Sequence, residues 1–267
     1  MIFDYNDYLS KLDISKLTNC LNGFVDSDDC SWYHNNWMTL RSLDIVSNPF
    51  WHTSFFADQL KIYFTSKDYE TLVLGTADFS MPLLCKLSGI EQLYIHDICK
   101  TPLNICDNIA KQYNFYWTTI NNLDSDKNHK NRFKIVINDA FLTRFNYNEK
   151  PKILKGIKNI LSPDGVYITT IRKDWNAGKV IVPSSRQKDE FIEKAKAIAI
   201  EKGFDANIAK YAATNYINRM KSYPMKSEDD VFKMAKGILD IVRIDIGVVL
   251  GECKETSYFR VVFKRSN

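Results

Sequence analysis

From residue 69 onward the apolar positions fall into short runs separated by helical stripes. Tyr69 to Leu74 is a compact β-branched and apolar run that reads as a buried strand. Gly75 ends it, and small or polar residues (Thr76, Ala77, Asp78, Ser80) lead into a short helix over Met81 to Leu87, closed by Gly89. Glu91 to Ile98 is a second strand that finishes in Asp97. Thr101-Pro102 opens a helix whose Leu103, Cys106, Ile109, Ala110 and Tyr113 share one face. Phe115 to Ile120 is a third strand, followed by a polar turn at Asn121 to Asp124 and a charged loop at 126–131. Phe133 to Asn138 is a fourth, closed by Asp139-Ala140-Phe141. Ile153, Leu154, Ile157, Ile160 and Leu161 stripe the next helix, Ser162-Pro163-Asp164-Gly165 is a turn, and Val166 to Arg172 is a fifth strand. Strand and helix in alternation call for a parallel sheet with right-handed crossovers.

The flanks follow other rhythms. Residues 1–68 read as helical and aromatic-rich, with an amphipathic opening (Tyr8, Leu9, Leu12, Ile14, Leu17) and an acidic loop carrying Asp26, Asp28 and Asp29. That loop lacks the spacing and closing Glu of a calcium-binding loop. Two aromatic segments follow, Trp32 to Arg41 and Ser47 to Leu60, the second with Pro49 well placed at a helix start. Their aromatics suit a wall over a substrate or the core of a helical cap. Residues 173–238 predict two amphipathic helices (Phe191, Ala195, Ile198; then Ile208, Ala212, Tyr216, Met220) and a shorter one capped by Ser227. Ile241 to Leu250 and Tyr258 to Phe263 are joined by a short turn and must pair antiparallel.

Composition narrows the classes. With 267 residues, 45% hydrophobic and 25% charged, the chain can bury one large core and a helical annex. A net charge of +4, spread along the chain, argues against a nucleic-acid binder. No apolar stretch is long enough to cross a bilayer and the start has no signal pattern, so a cytoplasmic protein off the membrane is expected. The six cysteines contain no C-x-x-C pair and the four histidines no ligand spacing, so reduced thiols and no metal are expected.

A glycine turn after a first strand, with an acid about 20 residues on at the end of the second, suits a nucleoside site. Gly75 lets backbone approach a ligand, and Asp97 can accept both ribose hydroxyls. The pair alone does not choose between a nicotinamide cofactor and another nucleoside. The later elements do. Val73 to Asp78, Tyr94 to Asp97, the Asn121-Asn122-Leu123 turn, Ile135 to Phe141 and Leu161 to Gly165, followed by a closing antiparallel hairpin, resemble a class I S-adenosylmethionine-dependent methyltransferase.

The resemblance implies an α/β fold: a Rossmann-like three-layer sandwich, with a mostly parallel seven-stranded sheet, an antiparallel C-terminal hairpin and a helical lid. It divides the chain into a helical cap (1–68), a cofactor-binding core (69–172), a helical insertion over the substrate (173–238) and the closing strands (239–267). Gly75, Thr76, Ala77, Asp78 and Phe79 would line the cofactor's methionine end. Asp97 would hold the ribose, Ile98 and Leu103 pack on adenine, Asn122 and Leu123 edge it, and Asp139, Ala140 and Phe141 face the sulfonium. The first loop lacks the family's second and third glycines, and Asp78 stands there to bind the cofactor's amino group or to cap the helix. His52 and Asp139 are the candidate catalytic groups; Trp37, Arg41, Trp51, Phe55 and Arg172 are the candidate substrate contacts. The implied activity is methyl transfer to a small molecule in specialised metabolism, with no nucleic-acid partner and a homodimer allowed. An enzyme of the same fold that uses the cofactor's aminobutyl carbon, and a non-catalytic nucleoside-binding protein, remain alternatives.

Overall fold

The computed structural model describes residues 17, 20, 30–120, 123, 128–250 and 255–265. The expected opening helix, the acidic loop, the Asn121-Asn122 turn and most of the hairpin turn lie outside them. Among the described residues the chain forms one seven-stranded sheet and eight α-helices. The strands are β1 (Thr71–Leu74), β2 (Leu93–His96), β3 (Thr118–Ile120), β4 (Phe133–Asn138), β5 (Leu161–Lys173), β6 (Asp240–Leu250) and β7 (Glu255–Lys264). The helices are α1 (Ser31–Ser42), α2 (Thr53–Tyr63), α3 (Ser80–Leu87), α4 (Lys100–Tyr113), α5 (Lys150–Ile160), α6 (Ser185–Glu201), α7 (Ala206–Arg219) and α8 (Glu228–Ala235).

Spatial order is β3-β2-β1-β4-β5-β7-β6. The first five strands are parallel to one another, and β7 inserts antiparallel between β5 and β6. Side chains alternate across the sheet as period-two geometry requires. Leu72, Leu74, Val136 and Tyr167 face a core closed by α5 and α8. Val73, Ile135, Ile137 and Ile168 face the opposite core, with Phe55, Phe56 and Leu60 of α2. Both faces of the central strands are therefore dry, which is why these strands read as unbroken apolar runs. A third cluster joins α1, α4, α6 and α7.

Two local readings shift. The expected turn at residues 162–165 lies within the first residues of β5, where the β4–β5 register slips between Phe133 and Ile135. The helix expected after Pro49 begins with a 3-10 turn, Pro49–His52, before α2. Ser227 caps α8 as expected, in a reciprocal box with Asp230, and Ser184 caps α6 the same way with Gln187. Each such cap stabilises a helix start by about 1 kcal/mol.

Candidate active site

In chain order the sheet grows from β1 outward to β2 and β3, then reverses to place β4 on the other side of β1. The crevice of an open α/β sheet lies at such a reversal, beyond the carboxyl ends of the strands. Gly75 follows β1, Asp97 follows β2 and Asp139 follows β4, so the fold gathers the three sequence candidates at one end of the sheet.

Gly75 has φ +70°, and its N–H donates to the His96 carbonyl at 2.8 Å. A Cβ added there would come within 2.2 Å of the Phe141 ring. Glycine is thus required twice, by the left-handed backbone and by the aromatic ring lying on it. The close neighbour is a side chain of this protein, Phe141, whose own ring meets Phe145 edge-on at 4.9 Å between centroids.

Asp97 is partly exposed. Its Oδ1 accepts the Cys99 N–H at 2.8 Å, and Oδ2 has no partner among the described residues. Burial pushes the carboxyl up to about 7, with the Cys99 N–H pulling the other way. Ile98 beside it is 55% exposed, while Leu103 is buried in the core cluster of α1, α4, α6 and α7. Leu123 is half-buried and Asn122 lies outside the described residues.

Asp139 sits in a network that the sequence did not display. Ser47 Oγ donates to its Oδ2 at 2.8 Å and Thr170 Oγ1 to its Oδ1 at 2.5 Å. Thr170 Oγ1 also accepts the Ala140 N–H at 2.9 Å, which holds Ala140 at φ +52°. A non-glycine residue in that region is uncommon, and here one hydroxyl fixes it. Tyr258 is buried near Ser47, and burial followed by the Asp139 charge pushes its phenol up to about 12.

His52 is fully buried, edge-on to Tyr258 at 4.9 Å between centroids, in the field of Asp139. Burial holds its pKa below the usual value, Asp139 opposing and Arg260 reinforcing the effect. Arg260 Nε donates to His52 Nδ1 at 3.3 Å. That donor assigns the neutral tautomer with hydrogen on Nε2, a nitrogen that has no hydrogen-bond partner among the described residues. In this arrangement His52 is a donor and has no lone pair to offer as a base. Arg260 reaches it by crossing Gly247, where a Cβ would lie 2.2 Å from Arg260 Nε.

Asp78 and Arg41, both nominated for ligand contact, form a buried ion pair with each other. Arg41 Nε lies 3.2 Å from Asp78 Oδ2, the same oxygen accepts Trp37 Nε1–H at 3.1 Å, and Asp78 Oδ1 accepts the Ser80 N–H at 2.7 Å. Asp78 therefore takes the helix-capping role and anchors α1 on the loop after β1. Trp37 also packs with Tyr33 and Tyr216, at 4.7 and 5.8 Å between centroids. Phe55 is core, packed with Phe56, Leu60 and Val73, and Trp51 donates to Asp44 at 2.9 Å. Arg172 is the freer guanidinium: its Nη2 is 3.8 Å from Asp174 and its buried Nε has no hydrogen-bond partner among the described residues. It lies in the electrostatic neighbourhood of Tyr258 and Tyr216. A shallow cavity of about 350 Å³ lies elsewhere, lined by Lys173, Trp175 and the start of α8.

One further cluster escaped the sequence reading. Cys20, Cys30, His34 and Cys99 converge from three segments, with all four donor atoms within 4.8 Å of one another. The expectation of no metal rested on linear spacing, which does not display a donor set assembled this way.

No family model and no curated protein matches the sequence. Solved structures do match the fold. An S-adenosylmethionine-dependent methyltransferase from Methanosarcina mazei is 14% identical over 78% of this chain and 96% of its own, with a TM-score of 0.53. Magnesium protoporphyrin IX methyltransferase from Synechocystis, with bound S-adenosylhomocysteine, is 14% identical over 87% of this chain and 93% of its own, with a TM-score of 0.53. Phosphoethanolamine N-methyltransferase 2 from Haemonchus contortus, in complex with phosphomonomethylethanolamine and S-adenosylhomocysteine, is 10% identical over 100% of this chain and 61% of its own, with a TM-score of 0.56. The chain has the fold of the class I S-adenosylmethionine-dependent methyltransferases.

Proposed function

We propose that this chain is an S-adenosylmethionine-dependent methyltransferase whose acceptor is a small molecule carrying an anionic group. The observation that carries the reading is Asp97, a partly exposed carboxylate beyond β2 with one oxygen engaged by backbone and the other without a partner. A ribose diol offers that oxygen the donors it lacks, which favours the ionised carboxylate against the burial that opposes it. Exposed Ile98 suits an adenine face. At the methionine end the fit falls to Gly75 to Ala77 and Phe141, because Asp78 is already satisfied by Arg41, Trp37 and Ser80.

The bound sulfonium supplies an electrophilic methyl carbon, and the protein supplies position and a dry pocket. Asp139 takes the acceptor's O–H or N–H proton, since its two oxygens retain lone pairs beyond those used by Ser47 and Thr170. Those hydroxyls orient the carboxylate. His52, protonated at Nε2, positions Tyr258 by ring contact rather than removing a proton. Arg172, held by one long contact to Asp174, is the group for an anionic substituent on the acceptor.

Titration calorimetry with S-adenosylmethionine, S-adenosylhomocysteine and NAD⁺ tests the cofactor choice. Binding of the two sulfur nucleosides without NAD⁺ supports the reading. Binding of NAD⁺ alone, or of none of the three, refutes it. With an acceptor in hand, release of S-adenosylhomocysteine supports methyl transfer, and methylthioadenosine in its place refutes it.

A further inference from the structure

The geometry points to a structural zinc site made by Cys20, Cys30, His34 and Cys99. The sulfur of Cys99 lies 3.4 Å from that of Cys30 and 3.8 Å from that of Cys20. His34 Nδ1 is 3.3 Å from Cys99 Sγ and 3.5 Å from Cys20 Sγ. A zinc tetrahedron with metal–sulfur bonds of about 2.3 Å and metal–nitrogen bonds of about 2.0 Å has edges of roughly 3.8 Å between sulfurs and 3.5 Å between sulfur and nitrogen. The donor atoms therefore already stand near the corners of such a tetrahedron. Three thiolates and one imidazole are a set that selects zinc over the harder divalent cations.

The elements explain the convergence. Cys30 occupies the N-cap of α1 and Cys99 the N-cap of α4, yet neither sulfur caps its own helix. His34 lies one helical turn beyond Cys30, so both project from the same end of α1. Two helix N-termini thus face the cluster, and their dipoles favour thiolates there. Cys20 reaches in from the N-terminal segment, with the Thr101 hydroxyl 3.1 Å from its sulfur. That hydroxyl can donate to a metal-bound thiolate, as the outer partners of metal ligands do. Such a site would fasten the N-terminal segment and α1 to the loop between β2 and α4. Without a cation, the same atoms are joined only by weak sulfur hydrogen bonds among Cys20, Cys30, Cys99, His34 and Thr101.

The test is metal analysis of the full chain, purified under reducing conditions without chelator. We expect one zinc per chain and, after exchange, a cobalt spectrum with tetrahedral ligand-field bands and thiolate charge-transfer bands. Cys99→Ser and His34→Ala should lose the metal, whereas Cys85→Ala, outside the cluster, should keep it. Thr101→Val should weaken zinc binding by about ten- to a hundred-fold. His34→Cys should retain one metal and strengthen the charge-transfer bands, an outcome that a purely packing role for His34 does not produce. Zinc at trace levels with no thiolate band from added cobalt overturns the proposal. So does an intact mass two hydrogens short, which maps to a Cys30–Cys99 disulfide in the freshly purified protein.

Discussion

Replacing Asp78 tests how α1 is held on the core. Asp78 and Arg41 have side-chain exposures of 2% and 4%, so their pairing is shielded from solvent. Removing one partner of a buried ion pair costs about 3–5 kcal/mol, because the other charge stays desolvated. Asp78→Ala also removes the acceptor for the Ser80 N–H, a loss of about 1 kcal/mol. Asp78→Asn keeps that acceptor but puts an N–H donor where Oδ2 accepts Trp37 Nε1–H, so its cost combines the charge with one lost hydrogen bond. For a chain of this size 1 kcal/mol corresponds to about 2–4 °C, so Asp78→Asn should lower Tm by roughly 6–20 °C. Urea unfolding of the wild type, Asp78→Asn, Arg41→Met and the double variant gives the coupling directly, provided each shows one transition of unchanged m-value. The double variant should be markedly less destabilised than the sum of the singles. A cost below about 1 kcal/mol for Asp78→Asn, or strict additivity, would refute the reasoning, since that is the behaviour of an exposed pair.

Two further outcomes follow from the charged groups. Arg260→Gln should raise the pKa of His52, read by NMR of the imidazole, because it removes a cation that depresses it. An unchanged titration would remove Arg260 from the His52 environment. Glu70, at the start of the first strand run, has its carboxyl held below the ordinary glutamate value of 4.5 by the Arg132 hydrogen bonds, both 2.9 Å. Its contribution is present above pH 4.5 and is lost as pH falls through the lower folded value, so Glu70→Gln should be less stable than wild type at neutral pH and the two should converge in acid. Parallel stability curves down to pH 2 would contradict this.

The fold was legible because its cause is local. Apolar runs such as Leu72 to Leu74 and Ile135 to Ile137 are buried on both faces, and that requirement writes itself into consecutive residues. Gly75, Asp97 and Asp139 were legible for a related reason, as each sits where a strand ends. What the sequence hid depends on contacts between distant segments. Ser47 and Thr170 meet Asp139 across 92 and 31 positions, and Arg260 meets His52 across 208. Arg41 looked like a substrate clamp because nothing in its own segment announces Asp78. Phe55 looked like a pocket wall because its aromatic stretch gives no sign of which face meets the sheet. The Cys20, Cys30, His34 and Cys99 set is the extreme case, since Cys99 follows the second strand and Cys20 and Cys30 precede the first.

The central claim is that Asp97 grips the sugar of a sulfur nucleoside. Calorimetry of S-adenosylhomocysteine with wild type and Asp97→Ala, the variant's Tm matched to wild type, measures it most directly. Two hydrogen bonds to a charged acceptor, each about 1.5 kcal/mol, predict affinity about a hundred-fold weaker in the variant. Affinity unchanged within a factor of about three, the equivalent of less than 1 kcal/mol, would contradict it.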